Sequence, residues 1–184
     1  MYNNDPYYGL PILTCAWLYI AIDVRDLSIC KIGITTRENP IDRLRECRTS
    51  NPFYSFFNCY DMARLNISMR ELLDLERYLL RKLGVRLNHI GTGNASEWVR
   101  ISPCFAEKEI DYIICNNFDF HENSMIDEDG NPDEKYLGEF KYKVRPDPFG
   151  LFINSFVRYE DCQDYYDFLM DYHEYPEEPP KRRW

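Results

Sequence analysis

The sequence has no apolar run approaching the length of a membrane span, and its first residues, MYNNDPYYG, lack the basic and apolar regions of a secretion signal. These absences predict a soluble, unsecreted protein with no membrane partner. There is no Cys-x-x-Cys pair, and the seven cysteines leave one over in any full pairing. That argues against a disulfide frame or a zinc site and for buried thiols in a reducing intracellular compartment, cytoplasm or nucleus. Basic residues are also short, with 22 Lys and Arg against 31 Asp and Glu. The whole chain therefore lacks the charge that nonspecific nucleic-acid binding uses, because that affinity comes largely from Lys and Arg releasing counterions from phosphate.

The deficit is unevenly spread. Residues 16 to 110 carry 14 Lys and Arg against 12 Asp and Glu, whereas residues 111 to 184 carry 8 against 18. A weakly basic part able to meet nucleic acid thus precedes an acidic part suited to a basic protein partner. With 45% hydrophobic residues the chain can bury a real core, and its 15 Tyr and 11 Phe make that core unusually aromatic.

Local signals divide the first part into elements. The runs 17 to 24 and 29 to 35 are β-rich and flank Arg25, Asp26, Leu27 and Ser28, which predicts a hairpin of central strands, apolar on both faces. Asn39 followed by Pro40 and Asp42 predicts a helix to about Arg48. A third strand is expected from Tyr54 to Tyr60. Ser68 with Glu71 forms a capping box that opens a second helix, and Gly84 ends it. A turn-rich loop, NHIGTGNASEW, then leads to a short strand near 97 to 101 and a helix from Ser102 and Pro103 to about Cys115. From Asn116 the composition turns acidic. Asp127, Glu128, Asp129 and Gly130 lack the ordered spacing of a calcium loop and are read as a solvated turn, and YEDCQDYYDFLMDYHEY as an acidic, Tyr-rich helix.

The second helix raises a chemical question. At about 100° per residue, Met69, Leu72, Leu73, Leu79, Leu80 and Leu83 form one stripe with Glu76 at its centre. A lone carboxylate on a buried face costs several kcal/mol, so Glu76 has to be paired, protonated or bound to a cation. An ion pair with an arginine of the first helix, such as Arg48, is one solution. A divalent cation is another.

Trp17, Leu18 and Tyr19, then Lys31, Ile32 and Gly33, then Arg43, Glu76 and finally Glu97 and Trp98 follow one another within residues 15 to 115. In that order they resemble the GIY-YIG nuclease superfamily. More narrowly they are similar to the branch with a Lys-Ile-Gly second signature and a Glu-Trp-Phe-like end, found in phages, large DNA viruses and some fungal proteins. Trp17 stands in place of the first signature's glycine and Val99 in place of the usual Phe.

The resemblance implies an α/β fold, a small, mainly antiparallel three-stranded sheet flanked by helices. The nuclease module would span residues 15 to 117, with an acidic, α-rich extension or interaction arm over 118 to 184. It further implies a metal-dependent endonuclease acting on DNA or another nucleic acid. Tyr19 would serve as general base or proton relay, and Lys31 would assist it or hold a phosphate oxygen. Arg43 would grip the scissile phosphate, and Glu76 would hold one Mg²⁺ or Mn²⁺. A phenol with a pKa near ~10 needs a nearby cation to act as a base, and a hard ion accepts carboxylate oxygen. Gly33, Thr35, Arg37, Arg48 and Asn94 would line the substrate, with Gly33 allowing close approach. A different outcome is an inactive nucleic-acid-binding or protein-interaction adaptor that keeps the fold.

The mechanism sets a condition on the hairpin. Tyr19 and Lys31 share a sheet face only if paired residue numbers have an even sum. A regular four-residue turn would pair 24 with 29 and separate them. Pairing of 24 with 30, through a longer turn or a bulge, is therefore predicted.

Overall fold

The computed structural model describes residues 6–48, 50–117 and 143–144. The expected acidic turn and Tyr-rich helix lie outside these residues. The hairpin strands are β1 (Trp17–Asp23) and β2 (Asp26–Thr35), followed by helix α1 (Pro40–Arg48) and strand β3 (Tyr54–Asp61). Helix α2 (Met69–Lys82), strands β4 (Val85–Asn88) and β5 (Ala95–Arg100), and helix α3 (Pro103–Asn117) complete the main body. A two-residue strand, β6 (Lys143–Val144), adds from the C-terminal part. The sheet order is β4-β5-β2-β1-β3-β6, with every pairing antiparallel.

The α/β class is as expected, but the sheet has more strands than the anticipated three. The stretch from Gly84 to Trp98 is a hairpin where mostly loop was foreseen. Val85–Asn88 is too short for a period-2 pattern, and it is ordered by nonlocal partners instead: Arg86 Nε donates to the Ser96 carbonyl at 2.8 Å.

Strand β1 is central, which is why it is apolar throughout. Leu18, Ile20 and Ile22 point to one face, where Leu72, Leu75, Leu79 and Leu80 of α2 and Ala106, Ile110, Ile113 and Ile114 of α3 cover them. Tyr19 and Ala21 point to the other face and meet Leu44 of α1 with Tyr54, Phe56 and Cys59 of β3. A bulge at Phe57, between the Ile20–Asn58 and Ala21–Phe56 pairs, reverses the alternation of β3. Asn58 thereby faces α3, where its Nδ2 donates to buried Glu107 at 2.6 Å.

The caps behave as the local sequence requires. The Ile41 amide donates to Asn39 Oδ1 at 3.0 Å, and Ser68 and Glu71 bond each other reciprocally at the start of α2. The stripe of α2 is rotated from its expected phase. Leu75 is buried, Leu73 is half-buried, and Met69 is 44% exposed. Glu76 is half-buried and lies inside the buried arc, between Leu72 and Leu80, off its centre. Among the described residues, no helix is long and apolar enough to cross a membrane.

The hairpin satisfies the face condition by another route. Ala21 pairs with Lys31 and Tyr19 with Gly33, so Tyr19 and Lys31 share a face, but the predicted pairing of 24 with 30 does not occur. The hairpin closes at Asp23–Asp26, and β2 carries three surplus residues between that pair and Lys31. Aspartates tighten the turn. Asp23 accepts from the Arg25 amide at 3.0 Å and from Asn51 Nδ2 at 2.9 Å, while Asp26 Oδ1 accepts from the Ser28 amide at 2.9 Å.

Candidate active site

The Tyr19 ring lies across Gly33, its cross-strand partner. A Cβ on Gly33 would come within 2.5 Å of Tyr19 Oη, 2.6 Å of Cζ and 2.9 Å of Cε2. Gly33 is thus the space the ring occupies, a different reason for glycine from the close approach of substrate. The other side of the ring meets Phe56, with centroids 4.8 Å apart.

Two cations flank the phenol. Lys31 stands two residues before Gly33 on the same face, and its Nζ pairs with Glu97 Oε2 at 2.8 Å. Arg43 of α1 lies near enough to the Tyr19 hydroxyl to favour its ionised form, and its Nη1 donates to Glu46 Oε2 at 3.1 Å. Glu46 also pairs with Arg37, so one carboxylate holds two guanidinium groups together.

Glu76 reaches the same region from α2. The β2–β5 ladder contains only the Cys30–Val99 and Lys31–Trp98 pairs, so β2 runs on toward Thr35 without β5 beside it. Glu76 lies near this stretch of β2, where the Ile34 amide favours its ionised form. Lys31 and Glu97 are its charged neighbours there. Lys31 thus links two neighbourhoods, Tyr19 and Arg43 on the α1 face of the sheet and Glu76, which comes from α2 on the opposite face.

Electrostatics distinguishes their roles. Burial pushes the Tyr19 phenol above its ordinary 10.0, although Lys31 and Arg43 pull the other way. At neutral pH the phenol is protonated, which suits a donor or relay better than a resting base. Burial pulls the Lys31 ammonium down, but Tyr19 and Glu97 outweigh it and its pKa is raised. Because Tyr19 is neutral at pH 7, Glu97 is the carboxylate that favours the Lys31 charge there. Burial first, and then the Glu97 carboxylate, raise Glu76 above its ordinary 4.5.

The remaining expected residues are placed less centrally. Thr35 Oγ1 accepts from the Arg37 amide at 3.3 Å in the turn after β2. Asn94 is exposed in the β4–β5 loop, where its carbonyl accepts from the His89 amide at 2.8 Å. The Arg48 side chain lies outside the described residues. Glu97 has a place in the sequence pattern but no role in it, yet it is the residue in contact with Lys31.

Among the described residues, no three His, Cys, Asp or Glu groups converge as a metal cage. A hard ion bound through one carboxylate, with water and phosphate completing its shell, asks for less. Glu76 fits that requirement, since a second carboxylate opposes its ionisation and a cation relieves both. Comparison with known protein families, curated proteins and solved structures gives no match.

Proposed function

We propose that the chain is a metal-dependent endonuclease of GIY-YIG type that cleaves phosphodiester bonds in DNA. The observation carrying this reading is the neighbourhood of Lys31, which acts together with Arg43 on the Tyr19 phenol and also acts on the Glu76 carboxylate, so that groups from four separate elements are linked through it. A core packed only for stability has no need to place two cations, a phenol and a carboxylate in one another's electrostatic reach.

In the proposed mechanism the Arg43 guanidinium, with donors in a planar fork, binds two oxygens of the scissile phosphate and stabilises charge that grows on it. Lys31, fixed beside the phenol, adds positive potential. Tyr19 is protonated at neutral pH and lies beside Lys31 and Arg43, so its proton can pass to a phosphate oxygen or to water in a relay. Glu76 would hold Mg²⁺ or Mn²⁺, which when bound supplies Lewis acidity toward phosphate and lowers the pKa of water.

One observation favours the noncatalytic adaptor. Tyr19 is only 1% exposed. Substrate has to displace Glu46 from Arg43 before it can reach the phenol. Plasmid nicking by the full chain, with Mg²⁺, with Mn²⁺ and with EDTA, decides between the readings. We expect metal-dependent nicking that Tyr19→Phe, Arg43→Ala and Glu76→Ala each abolish. Nicking that survives Glu76→Ala, or none with either metal, overturns the endonuclease reading.

A further inference from the structure

Strand β5 is irregular where it passes the site. Between the Arg86–Val99 and Asn88–Ala95 pairs it carries two more residues than β4 does. Ser96 builds the bulge: its Oγ donates to the Leu87 carbonyl at 2.7 Å and accepts from the Trp98 amide at 3.1 Å, while its carbonyl accepts from Arg86 Nε at 2.8 Å. The bulge also ends the β2–β5 ladder, since Lys31–Trp98 is the last pair. Glu97, at the crest, is released from pairing, and its side chain returns across the gap to Lys31. Bulges re-aim side chains and are frequent beside active sites.

Lys31 needs this partner. Its side chain is 13% exposed, against 45% for that of Glu97, so the ammonium is largely withdrawn from water. The groups facing it are the Tyr19 phenol on β1, the Cys47 thiol on α1, Glu76 on α2 and Glu97 on β5. Glu97 makes the ion pair.

We infer that Glu97 is a positioning residue for phosphodiester cleavage, aimed by the Ser96 bulge so that its carboxylate fixes the Lys31 ammonium beside Tyr19. The inference rests on the endonuclease reading. It goes beyond that reading by assigning a task to the strand that lies outside the four-residue cluster. Glu97 acts through Lys31 and need not touch phosphate.

The test is a double-mutant cycle in the full chain. Glu97→Gln preserves shape and removes charge, and its half-exposed site tolerates the change. We expect kcat to fall about 10–100-fold with KM nearly unchanged, the size of loss typical when a residue supporting a site is removed. Combined with Lys31→Met, it should cost nothing beyond Lys31→Met alone, because the two act as a unit. Ser96→Ala keeps both charges and should lose part of the same activity. Independently of cleavage, the ¹⁵N NMR signal of the Lys31 ammonium, slowed in exchange by its ion pair, should vanish in metal-free Glu97→Gln and persist in Glu97→Asp if the shorter carboxylate still reaches. Wild-type kcat in Glu97→Gln, multiplicative losses in the double variant, or an unchanged Lys31 signal overturns the inference. A wild-type chain that does not nick DNA instead sinks the endonuclease reading, and the NMR signal then still decides whether Glu97 holds Lys31.

Discussion

Gly33→Ala tests the contact on which the Tyr19 geometry depends. Gly33 has no positive φ, so alanine meets no backbone penalty and its cost comes from the added methyl alone. That methyl would stand 2.5, 2.6 and 2.9 Å from three Tyr19 atoms, where carbon contacts normally begin near ~3.5 Å. The ring would have to move by roughly 1 Å to restore that spacing. Backbone retreat is blocked because Gly33 is paired with Tyr19 in the centre of the sheet, and ring retreat is opposed by Phe56. Overpacking of this kind costs about 1–3 kcal/mol. We expect a Tm lower by roughly 5–15 °C, measured by circular dichroism. In a Tyr19→Leu background, which lacks all three clashing atoms, Gly33→Ala should be nearly neutral. If the two substitutions are additive, or if Gly33→Ala leaves stability intact and weakens only DNA binding, the steric account of this glycine is wrong.

Glu46→Gln should release Arg37 and Arg43 from their shared carboxylate. Each exposed pair is worth at most about 1 kcal/mol, so stability changes little while DNA affinity at low salt rises about 2–10-fold in fluorescence anisotropy. Unchanged or weaker binding would show that Glu46 does not compete with phosphate. Asp23→Asn addresses the hairpin turn. Burial pushes the Asp23 carboxyl up, but bonds from Arg25 and Asn51 outweigh it and hold the pKa below its ordinary 3.8. A lowered folded pKa stabilises the protein above pH 3.8 and loses that contribution as pH falls through the folded value. Asp23→Asn should therefore cost about 1–3 kcal/mol at pH 7 in urea unfolding, with the gap to wild type closing below pH 3.8. A gap independent of pH contradicts this sign.

Features legible in the sequence were those with local causes. The capping box at Ser68 and Glu71, the Asn39–Pro40 start of α1 and the apolar strand β1 depend on neighbours within a few residues, and each took its expected form. The phase of α2 did not, because which arc of leucines is buried depends on the sheet it meets; Leu75 replaced Met69 in the buried face. Glu76 stood out because a carboxylate among leucines is costly, but the groups that act on it, the Ile34 amide and Lys31 of β2 and Glu97 of β5, lie on strands whose approach to α2 is a nonlocal property. Glu97 was hidden for a related reason. Its reach to Lys31 follows from the bulge at Ser96, and pairing register is a nonlocal property.

The three surplus residues of β2 uncouple the length of the β1–β2 turn from the geometry downstream of it. Register at Tyr19–Gly33 is held by the interlock of ring and glycine, so the loop before Lys31 works as a slack joint. Insertions or deletions there need not come in even numbers to keep Lys31 on its face. A reporter peptide placed between Asp26 and Ser28 should leave the alignment of the rim intact, which makes this turn the natural attachment point for a probe of substrate arrival.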